Sequence, residues 1–322
     1  MIRTPWITWI VSAMLTLPSC SESPEEMHPA TLLAKSNYDT ENVIVVVIDG
    51  PRFSETWGHP ERQYIPKMAE VLAPQGTFFE NFNNEGHTRT VSGHSAITTG
   101  RYFFMANDGS EYPKEPSFLQ HYLQHTEQAP DKAWIVSSKP KLNILADTRR
   151  LEWRGRYNPY YNCGKGGKKR PDAETLSQAM RILRDKEPHL MLLQFLGPDD
   201  RAHKDDWTGY LQSIQDTDSL VFQLWQFLQK NEAYKDKTAL LVTNDHGRHP
   251  TGHKDGFVSH GDNCRECRHI SLLALGPDFE RGKVVSGRHD LSDIAPTVAA
   301  LMGFSFPEGD GSPIPDLLHP GP

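Results

Sequence analysis

Three aspartates and three histidines stand next to short apolar runs of the sequence. They are Asp49, Asp199, His203, Asp245, His246 and His260. Carboxylate and imidazole groups are ligands that suit Zn²⁺ and its neighbours, and six such ligands are enough for two metal sites rather than one. A lone Asp after a strand is more often a turn residue, and a lone His is more often structural, but here the coincidence repeats along the chain. The pattern predicts a two-metal centre.

A hydroxyl-rich segment supplies candidates for a nucleophile. Residues 86–100 contain several Thr and Ser residues and are typical of a loop that enters a short helix. A hydroxyl at a helix N-terminus lies in a positive field that favours its alkoxide and an incoming anion. A nearby metal would lower the pKa of the hydroxyl further. Taken alone, however, such a segment is more often a simple helix cap.

The elements that must position these groups alternate between strands and helices. Residues 43–48 form an unbroken β-branched run, which is typical of a strand buried on both faces of a parallel sheet. The predicted strands are 43–48, 76–82, 133–137, 190–196, 239–242 and 270–275. The predicted helices are 65–72, 118–125, 173–185, 207–229 and 294–302. This alternation predicts an α/β fold with a mostly parallel central sheet and helices on both faces. The candidate ligands would then share the edge at the carboxyl ends of the strands, where active sites of open α/β sheets form.

Residues 142–172 interrupt this alternation. The segment contains Trp153, three tyrosines and a basic run at residues 164–170. A solvated surface loop and a small cap near the substrate are both compatible with such a composition.

The first residues have the order of a secretory signal peptide. Arg3 precedes the apolar stretch of residues 6–17, and small residues follow. The ending at Cys20 resembles a bacterial lipobox, which implies a lipid on Cys20; a plain cleaved signal or a short anchor is the alternative. We therefore expect a signal peptide over residues 1–19, a tether over 20–38 and a single catalytic domain over 39–322. The expected location is the periplasm or the membrane surface of a bacterium.

The composition of the chain bears on its domain count, its binding partners and its cysteines. The chain has 322 residues, 37% of them hydrophobic and 23% charged, which suits one packed globular domain. A net charge of −7 argues against a nucleic-acid partner, because phosphate backbones are bound by clustered Lys and Arg. Among Cys163, Cys264 and Cys267, one disulfide is plausible in an exported chain. Cys264 and Cys267 could also be half of a zinc site, but the sequence offers no second half, which favours a structural role.

The order of these motifs resembles the alkaline phosphatase superfamily, with its sulfatase-like fold. It is most similar to the nucleotide pyrophosphatase/phosphodiesterase branch and to the branch of phosphatases with a Thr nucleophile. Residues 90–100 stand where those branches have Thr-x-Pro-Asn-His and a final Thr-Gly, Asp199 and His203 match the first metal motif, and Asp245-His246-Gly247 matches the second. His260-Gly261-Asp262-Asn263 matches the late His ligand. The resemblance covers residues 42–318.

The resemblance implies a role for each residue. Thr90 would be the nucleophile and would be phosphorylated during turnover. One metal would be held by Asp199, His203 and His260. The second would be held by Asp49, Asp245 and His246, together with the Thr90 hydroxyl. Two divalent ions, with Zn²⁺ as the first choice, are the implied cofactors.

Three departures from the family pattern matter. Ser92 and Gly93 replace the Pro and Asn of the nucleophile segment. The Cys/Ser-x-Pro-x-Arg signature of sulfatases is absent, which counts against an ordinary sulfatase. His253 is a rival to His260, but Gly-Asp-Asn does not follow it.

Lys139, Lys141 and Asn107 bear on the substrate. Lys139 and Lys141 resemble the Lys-x-Arg clamp of the Thr-nucleophile phosphatases, and Asn107 is the candidate for their phosphoryl-binding Asn. A monoester dianion needs more cationic contacts than a diester, although Lys lacks the bidentate geometry of Arg. The expected function is thus a phosphate ester hydrolase that prefers monoesters of small molecules. The alternatives are a phosphodiesterase or nucleotide pyrophosphatase, a sulfatase-like ester hydrolase, and a catalytically silent metal-binding lipoprotein.

Overall fold

A nine-stranded sheet lies at the centre of the protein. The structure is a computed structural model, and it describes residue 1 and residues 37–307 and 309–315. The expected signal peptide, the lipidation site at Cys20 and most of the tether lie outside the described residues. The strands are β1 (Asn42–Ile48), β2 (Thr77–Asn83), β3 (Ala133–Ser137), β4 (Tyr160–Cys163), β5 (Leu190–Phe195), β6 (Thr238–Asn244), β7 (His269–Leu275), β8 (Lys283–Val285) and β9 (His289–Asp290).

The strand order explains how distant motifs reach one edge of the sheet. The order is β4-β3-β5-β1-β6-β7-β2-β8, and β9 pairs with β2. β1 runs parallel to both of its neighbours, β5 and β6, whereas β7 runs antiparallel to β6 and β2. Because β7 is reversed, its beginning lies at the edge where β1, β5 and β6 end. The loop that precedes β7 therefore returns to that edge, and the predicted mostly parallel α/β sheet is confirmed.

Helices cover both faces of the sheet. They are α1 (Thr90–Thr99), α2 (Phe118–Thr126), α3 (Asp172–Lys186), α4 (Gly197–Ala202), α5 (Trp207–Leu228), α6 (Arg265–Arg268) and α7 (Ile294–Met302). Every residue of β1 is buried. Val43, Val45 and Val47 pack into a core shared with α1, α2 and α7, while the alternate residues of β1 pack against α3 and α5 on the other face. This two-sided burial explains the unbroken β-branched run of β1.

The long elements and the short strand β3 match the sequence predictions closely, but several other short elements were not predicted. The predicted helix over 65–72 is a π-helix over Lys67–Leu72. The strands β4, β8 and β9 and the short helices α4 and α6 were not predicted. β4 is an edge strand of four residues whose two tyrosines are exposed, so it lacks the buried apolar run that marks the central strands.

The segment over 142–172 contributes to the sheet and to the core. Its first residues belong to a 3-10 helix over Pro140–Ala146, where Leu142, Ile144 and Leu145 are buried. Its later residues form β4, which pairs with β3. A cap role for the part between them stays a prediction.

Two further expectations concern the cysteines and the membrane. Cys163, Cys264 and Cys267 are free thiols, so the disulfide expected from the sequence is not formed among the described residues. Within the described part of the chain, no helix has the length and the apolar character needed to cross a membrane.

Candidate metal centre and nucleophile

The six predicted ligands meet at one edge of the sheet. Asp49 directly follows β1, and Asp245 and His246 directly follow β6. Asp199 lies on α4, which begins two residues after the end of β5, and His203 is the residue that ends α4. His260 lies in the loop before β7. The structure thus brings together all six residues that the sequence singled out as metal ligands.

The first group consists of Asp49, Asp245 and His246, all fully buried. His246 Nε2 lies 3.6 Å from Asp49 Oδ1 and 3.3 Å from Asp245 Oδ2. None of these three atoms has a hydrogen-bond partner among the described residues. Buried polar atoms are rarely left without a partner, and three convergent acceptors of this kind are satisfied by a cation. The group therefore fits a divalent metal ion.

The protonation states of this group agree with metal binding. His246 Nδ1 lies 2.9 Å from the carbonyl oxygen of Gly247, which fixes Nδ1 as the donor and leaves the Nε2 lone pair free. Burial lowers the pKa of His246 to about 3, so the ring stays neutral. Burial and the charge of Asp245 raise the pKa of Asp49 to about 6. Burial also disfavours the Asp245 carboxylate, but His246 and His94 outweigh it and hold the pKa of Asp245 at about 2.

The second group consists of Asp199, His203 and His260. Asp199 Oδ1 lies 3.1 Å from His203 Nε2 and 3.4 Å from His260 Nε2. The two Nε2 atoms are 3.1 Å apart. His260 Nδ1 lies 2.7 Å from the carbonyl oxygen of Thr88, so its Nε2 is again the free lone pair. One carboxylate oxygen and two imidazole nitrogens within bonding reach of one point suit Zn²⁺.

The two groups are neighbours. The rings of His246 and His260 stack with their centroids 3.9 Å apart. His246 also lies close enough to Asp199 and His260 to join them as a ligand. The structure thus places His246 at the boundary between the two groups rather than within one of them.

Lys139 connects both groups with Thr90. Its ammonium nitrogen lies 2.7 Å from Asp49 Oδ2, 2.6 Å from Asp199 Oδ2 and 3.3 Å from Thr90 Oγ1. Burial alone would lower the pKa of Lys139, but the two carboxylates outweigh it and raise the pKa above its usual range. Each carboxylate therefore turns one oxygen to Lys139 and the other to the histidines. The order β3-β5-β1 explains this contact, because Lys139, Asp199 and Asp49 follow three adjacent strands.

Thr90 is the first residue of α1 and is almost fully buried. Its hydroxyl oxygen accepts the hydrogen bond from Lys139. The positive end of the helix and the ammonium ion both favour an ionised hydroxyl at this position. The geometry agrees with a nucleophile at Thr90, and that assignment stays a prediction.

Asn107 and Lys141 lie next to the start of α1. Asn107 Oδ1 accepts a hydrogen bond of 3.0 Å from the Val91 N–H, and so caps the helix. Lys141 Nζ donates to the carbonyl oxygen of Asn107 over 2.7 Å. Burial and the charge of Lys139 lower the pKa of Lys141. Both residues are thus placed beside the proposed nucleophile, and their predicted contacts with the substrate remain to be tested.

The departures from the family segment have a structural reason. A Cβ atom on Gly93 would lie 2.6 Å from the carbonyl oxygen of Asp245, so no larger residue fits there without a shift. Ser92 uses its hydroxyl to accept a hydrogen bond from the Met105 N–H. The close approach of α1 to the end of β6 brings Thr90 to the metal ligands.

Three further residues support the centre and escaped the sequence analysis. Arg248 is fully buried and donates to Asp199 Oδ1 over 2.7 Å. His94 Nδ1 lies 2.8 Å from the Thr90 carbonyl oxygen and 3.3 Å from Asp245 Oδ2. Gln194 donates to Asp49 Oδ2 over 3.1 Å. The sequence offered one signal for two of them: Arg248 directly follows Asp245-His246-Gly247, and His94 lies in the nucleophile segment.

His253, the rival of His260, lies elsewhere. Its Nε2 is 3.0 Å from Asp262 Oδ2. His260, not His253, is therefore the late histidine beside Asp199.

Known structures share this fold. A phosphonate monoester hydrolase from Silicibacter pomeroyi matches with a TM-score of 0.63 and 14% identity, over 87% of this chain and 76% of that one. Murine ectonucleotide pyrophosphatase/phosphodiesterase 5 matches with a TM-score of 0.62 and 16% identity, over 86% and 100%. A protein solved with its substrate D-glucosamine-2-N,6-O-disulfate matches with a TM-score of 0.64 and 14% identity, over 88% and 81%. At these identities the matches establish the fold.

The family follows from the sequence itself. The profile of the Sulfatase family matches residues 41–304, which include all six predicted ligands and Thr90. With the motifs and the fold, this match places the protein in the alkaline phosphatase superfamily, whose members hydrolyse phosphate or sulfate esters. The chain belongs to the sulfatase family.

Proposed function

We propose that this protein is a two-metal hydrolase of phosphate esters that uses Thr90 as its nucleophile. The observation that carries the proposal is the convergence of Asp49 Oδ1, Asp245 Oδ2 and His246 Nε2, three buried atoms without a hydrogen-bond partner, on one point beside the start of α1. Asp199, His203 and His260 form the second site. Two bound Zn²⁺ ions would supply positive charge for the attacking and leaving oxygens of the ester.

The side chains of the protein would do the rest. Thr90 Oγ1 attacks the phosphorus atom, the ester P–O bond breaks, and the alcohol leaves with the proton that the Thr90 hydroxyl lost. Water then attacks the phosphothreonine, which releases phosphate and restores the Thr90 hydroxyl. Lys139 donates a hydrogen bond to Thr90 Oγ1 and so stabilises the developing alkoxide. Arg248, His94 and Gln194 hold the ligand side chains in place. Charges and hydrogen-bond donors held in place in this way need not rearrange during the reaction, and this preorganisation is the main source of electrostatic catalysis.

A sulfate ester is a less favoured substrate. Thr90 followed by Val91 and Ser92 lacks the Cys/Ser-x-Pro-x-Arg signature that sulfatases convert into formylglycine. A threonine nucleophile instead suits a phosphorylated intermediate.

Lys139, Lys141 and Asn107 are the side chains expected to contact the substrate, and Lys141 is the one expected to favour monoesters. Together they surround the start of α1 with two ammonium groups and an amide. A monoester dianion would gain more from these contacts than a diester.

One observation favours a phosphodiesterase instead. The charge of Lys139 is already balanced by Asp49 and Asp199, at 2.7 and 2.6 Å. Apart from the two metal ions, Lys141 is then the main cationic side chain left for the substrate, which suits the single charge of a diester. We keep the phosphodiesterase as the second candidate.

We also propose that the protein is exported and that Cys20 carries a lipid, on the evidence of the signal-like start of the sequence. The substrate would then be a small phosphate ester outside the cytoplasm. Metabolic labelling with a fatty acid, compared with a Cys20→Ser variant, tests the lipid directly. Label in both proteins, or in neither, would refute it.

The experiment that tests the function is a comparison of rates. The purified protein, loaded with Zn²⁺, is assayed on an aryl phosphate monoester, the matching diester and the matching sulfate. We expect the monoester to be fastest and chelation to abolish turnover. A faster diester would select the second candidate, and a faster sulfate would refute the proposal.

A further inference from the structure

A second cluster of metal-binding side chains lies in the loop between β6 and β7. Its members are His249, His253, Asp262 and Cys264, none of which belongs to the centre described above. One potential ligand atom from each residue lies within 4.8 Å of all the others. The four side chains therefore approach one another as closely as the ligands of a small metal site.

The environment of His249 is the strongest indication of a metal ion at this cluster. Its side chain is only 3% exposed, and neither ring nitrogen has a hydrogen-bond partner among the described residues. Its Nε2 nevertheless lies 3.0 Å from Asp262 Oδ1. A buried imidazole without a partner is costly, and a metal ion between the ring and the carboxylate would remove that cost.

Asp262 is the centre of the cluster. Its second oxygen lies 3.0 Å from His253 Nε2 and 2.7 Å from Lys254 Nζ. The Lys254 side chain is 52% exposed. An exposed ion pair of this kind contributes little, so the ammonium can leave when another cation binds. The Asp262 carboxylate thus already contacts one positive charge, that of Lys254, which a metal ion would replace.

We propose that His249, His253, Asp262 and Cys264 form a third metal site, with Zn²⁺ as the preferred ion. Two imidazole nitrogens, one carboxylate oxygen and one thiolate would supply all four ligands of a Zn²⁺ ion, and a site with no open position is structural rather than catalytic. In the sequence, Cys264 and Cys267 have the spacing of half a zinc site, and no second half follows. The structure brings only Cys264 of this pair together with His249, His253 and Asp262, and Cys267 lies buried beside Cys264 outside the set.

The site would fasten the loop that contains His260. Two of its ligands, His253 and Asp262, flank His260 in sequence, and His249 directly follows Arg248. His249 N–H also bonds to the carbonyl oxygen of Ser259, the residue before His260. A metal ion here would hold His260 and Arg248 in position without contacting the substrate.

Cobalt substitution tests the third site independently of activity. The full chain, kept reduced, is loaded with Co²⁺ and examined by near-ultraviolet absorption. A thiolate bound to Co²⁺ gives a charge-transfer band, whereas the six ligands of the catalytic centre contain no sulfur. We expect the band in the wild type, in Cys163→Ser and in Cys267→Ser, and its loss in Cys264→Ser.

Zinc content gives a second readout. His253→Ala changes a half-exposed residue and should not disturb the fold, yet bound zinc should fall from about three to about two ions per chain. Asp49→Asn should lose activity and keep the cobalt band, so that failure of the proposed function and failure of this site are distinguishable. A wild type without the band, or a band that survives Cys264→Ser, would overturn the inference.

Discussion

Lys139 Nζ lies 3.3 Å from Thr90 Oγ1, so a buried ammonium ion contacts the hydroxyl that is proposed to attack the substrate. The same nitrogen contacts Asp49 and Asp199, one carboxylate from each metal group. Lys139 is therefore a positioning residue for both metal groups as well as a donor to the nucleophile. Lys141 contacts neither carboxylate through any hydrogen bond found among the described residues, and it bonds to Asn107 instead.

This difference predicts separate effects for the two lysines. Lys139→Ala should lower turnover of monoesters and diesters alike, by roughly a hundredfold, because a fixed charge beside the nucleophile is lost. Lys141→Ala should depress monoester hydrolysis more than diester hydrolysis, because its charge is free to meet the substrate. Steady-state rates on a matched aryl monoester and diester measure both effects. The control is Lys168→Ala, an exposed lysine; equal losses on both substrates in Lys141→Ala would contradict the clamp.

Thr90→Ala should lower kcat by orders of magnitude and leave the fold intact, because the hydroxyl takes part in bond making. Thr90→Ser should retain partial activity. Thr98→Ala is the matched control, since Thr98 is a buried threonine of the same helix whose hydroxyl bonds to the His94 carbonyl oxygen. The control should lose some stability and little activity. Near wild-type kcat in Thr90→Ala would show that the nucleophile is misassigned.

Gly93→Ala tests the close approach of α1 to β6. In an ordinary helix this substitution stabilises by about 1 kcal/mol. Here the new Cβ would lie 2.6 Å from the Asp245 carbonyl oxygen, and such overpacking costs roughly 1–3 kcal/mol. Thermal unfolding should therefore show a lower Tm, and the metal content should fall. Gly287→Ala, whose Cβ would have its nearest neighbour at 3.6 Å, is the control. A Gly93→Ala variant as stable as the wild type would refute the contact.

The pKa of Asp49 predicts how pH affects metal binding. Burial and the charge of Asp245 raise this pKa to about 6, and the carboxyl group must lose its proton before it can bind a metal. His246, with a pKa lowered to about 3, is already neutral. The affinity of the metal-free protein for Zn²⁺ should hence fall as pH drops below 6, by about tenfold per unit from this proton. Competition with a chelator between pH 5 and 8 measures it, and a constant affinity over that range would contradict the prediction.

The sequence predicted the long elements and the edge where the ligands meet. Its signals were local: the apolar run of β1, the helical period of α5 and the acidic or imidazole residues that follow β1, β5 and β6 or precede β7. These signals require no knowledge of the strand order. They were enough to select the six candidate ligands that the structure brings together.

The contacts that support the six candidate ligands could not be predicted from the sequence, because they join residues far apart along the chain. Arg248 and Asp199 are 49 residues apart, and Lys139 and Thr90 are also 49 apart. Only the order of the strands makes these residues neighbours. The exposed edge strand β4 was missed for a different reason, since it lacks the apolar run of a buried strand. The helix over 65–72 was predicted, but its π-type was not.

The most direct test of the account is to find the phosphate on Thr90. The Zn²⁺-loaded protein is mixed with an aryl phosphate, quenched in acid during turnover and digested with trypsin. Mass spectrometry then examines the peptide that begins at Thr90 and ends at Arg101. We predict a phosphate on Thr90 in the metal-loaded protein and none after chelation. Turnover of the ester with Thr90 unmodified, or with the phosphate on another residue, would contradict the account.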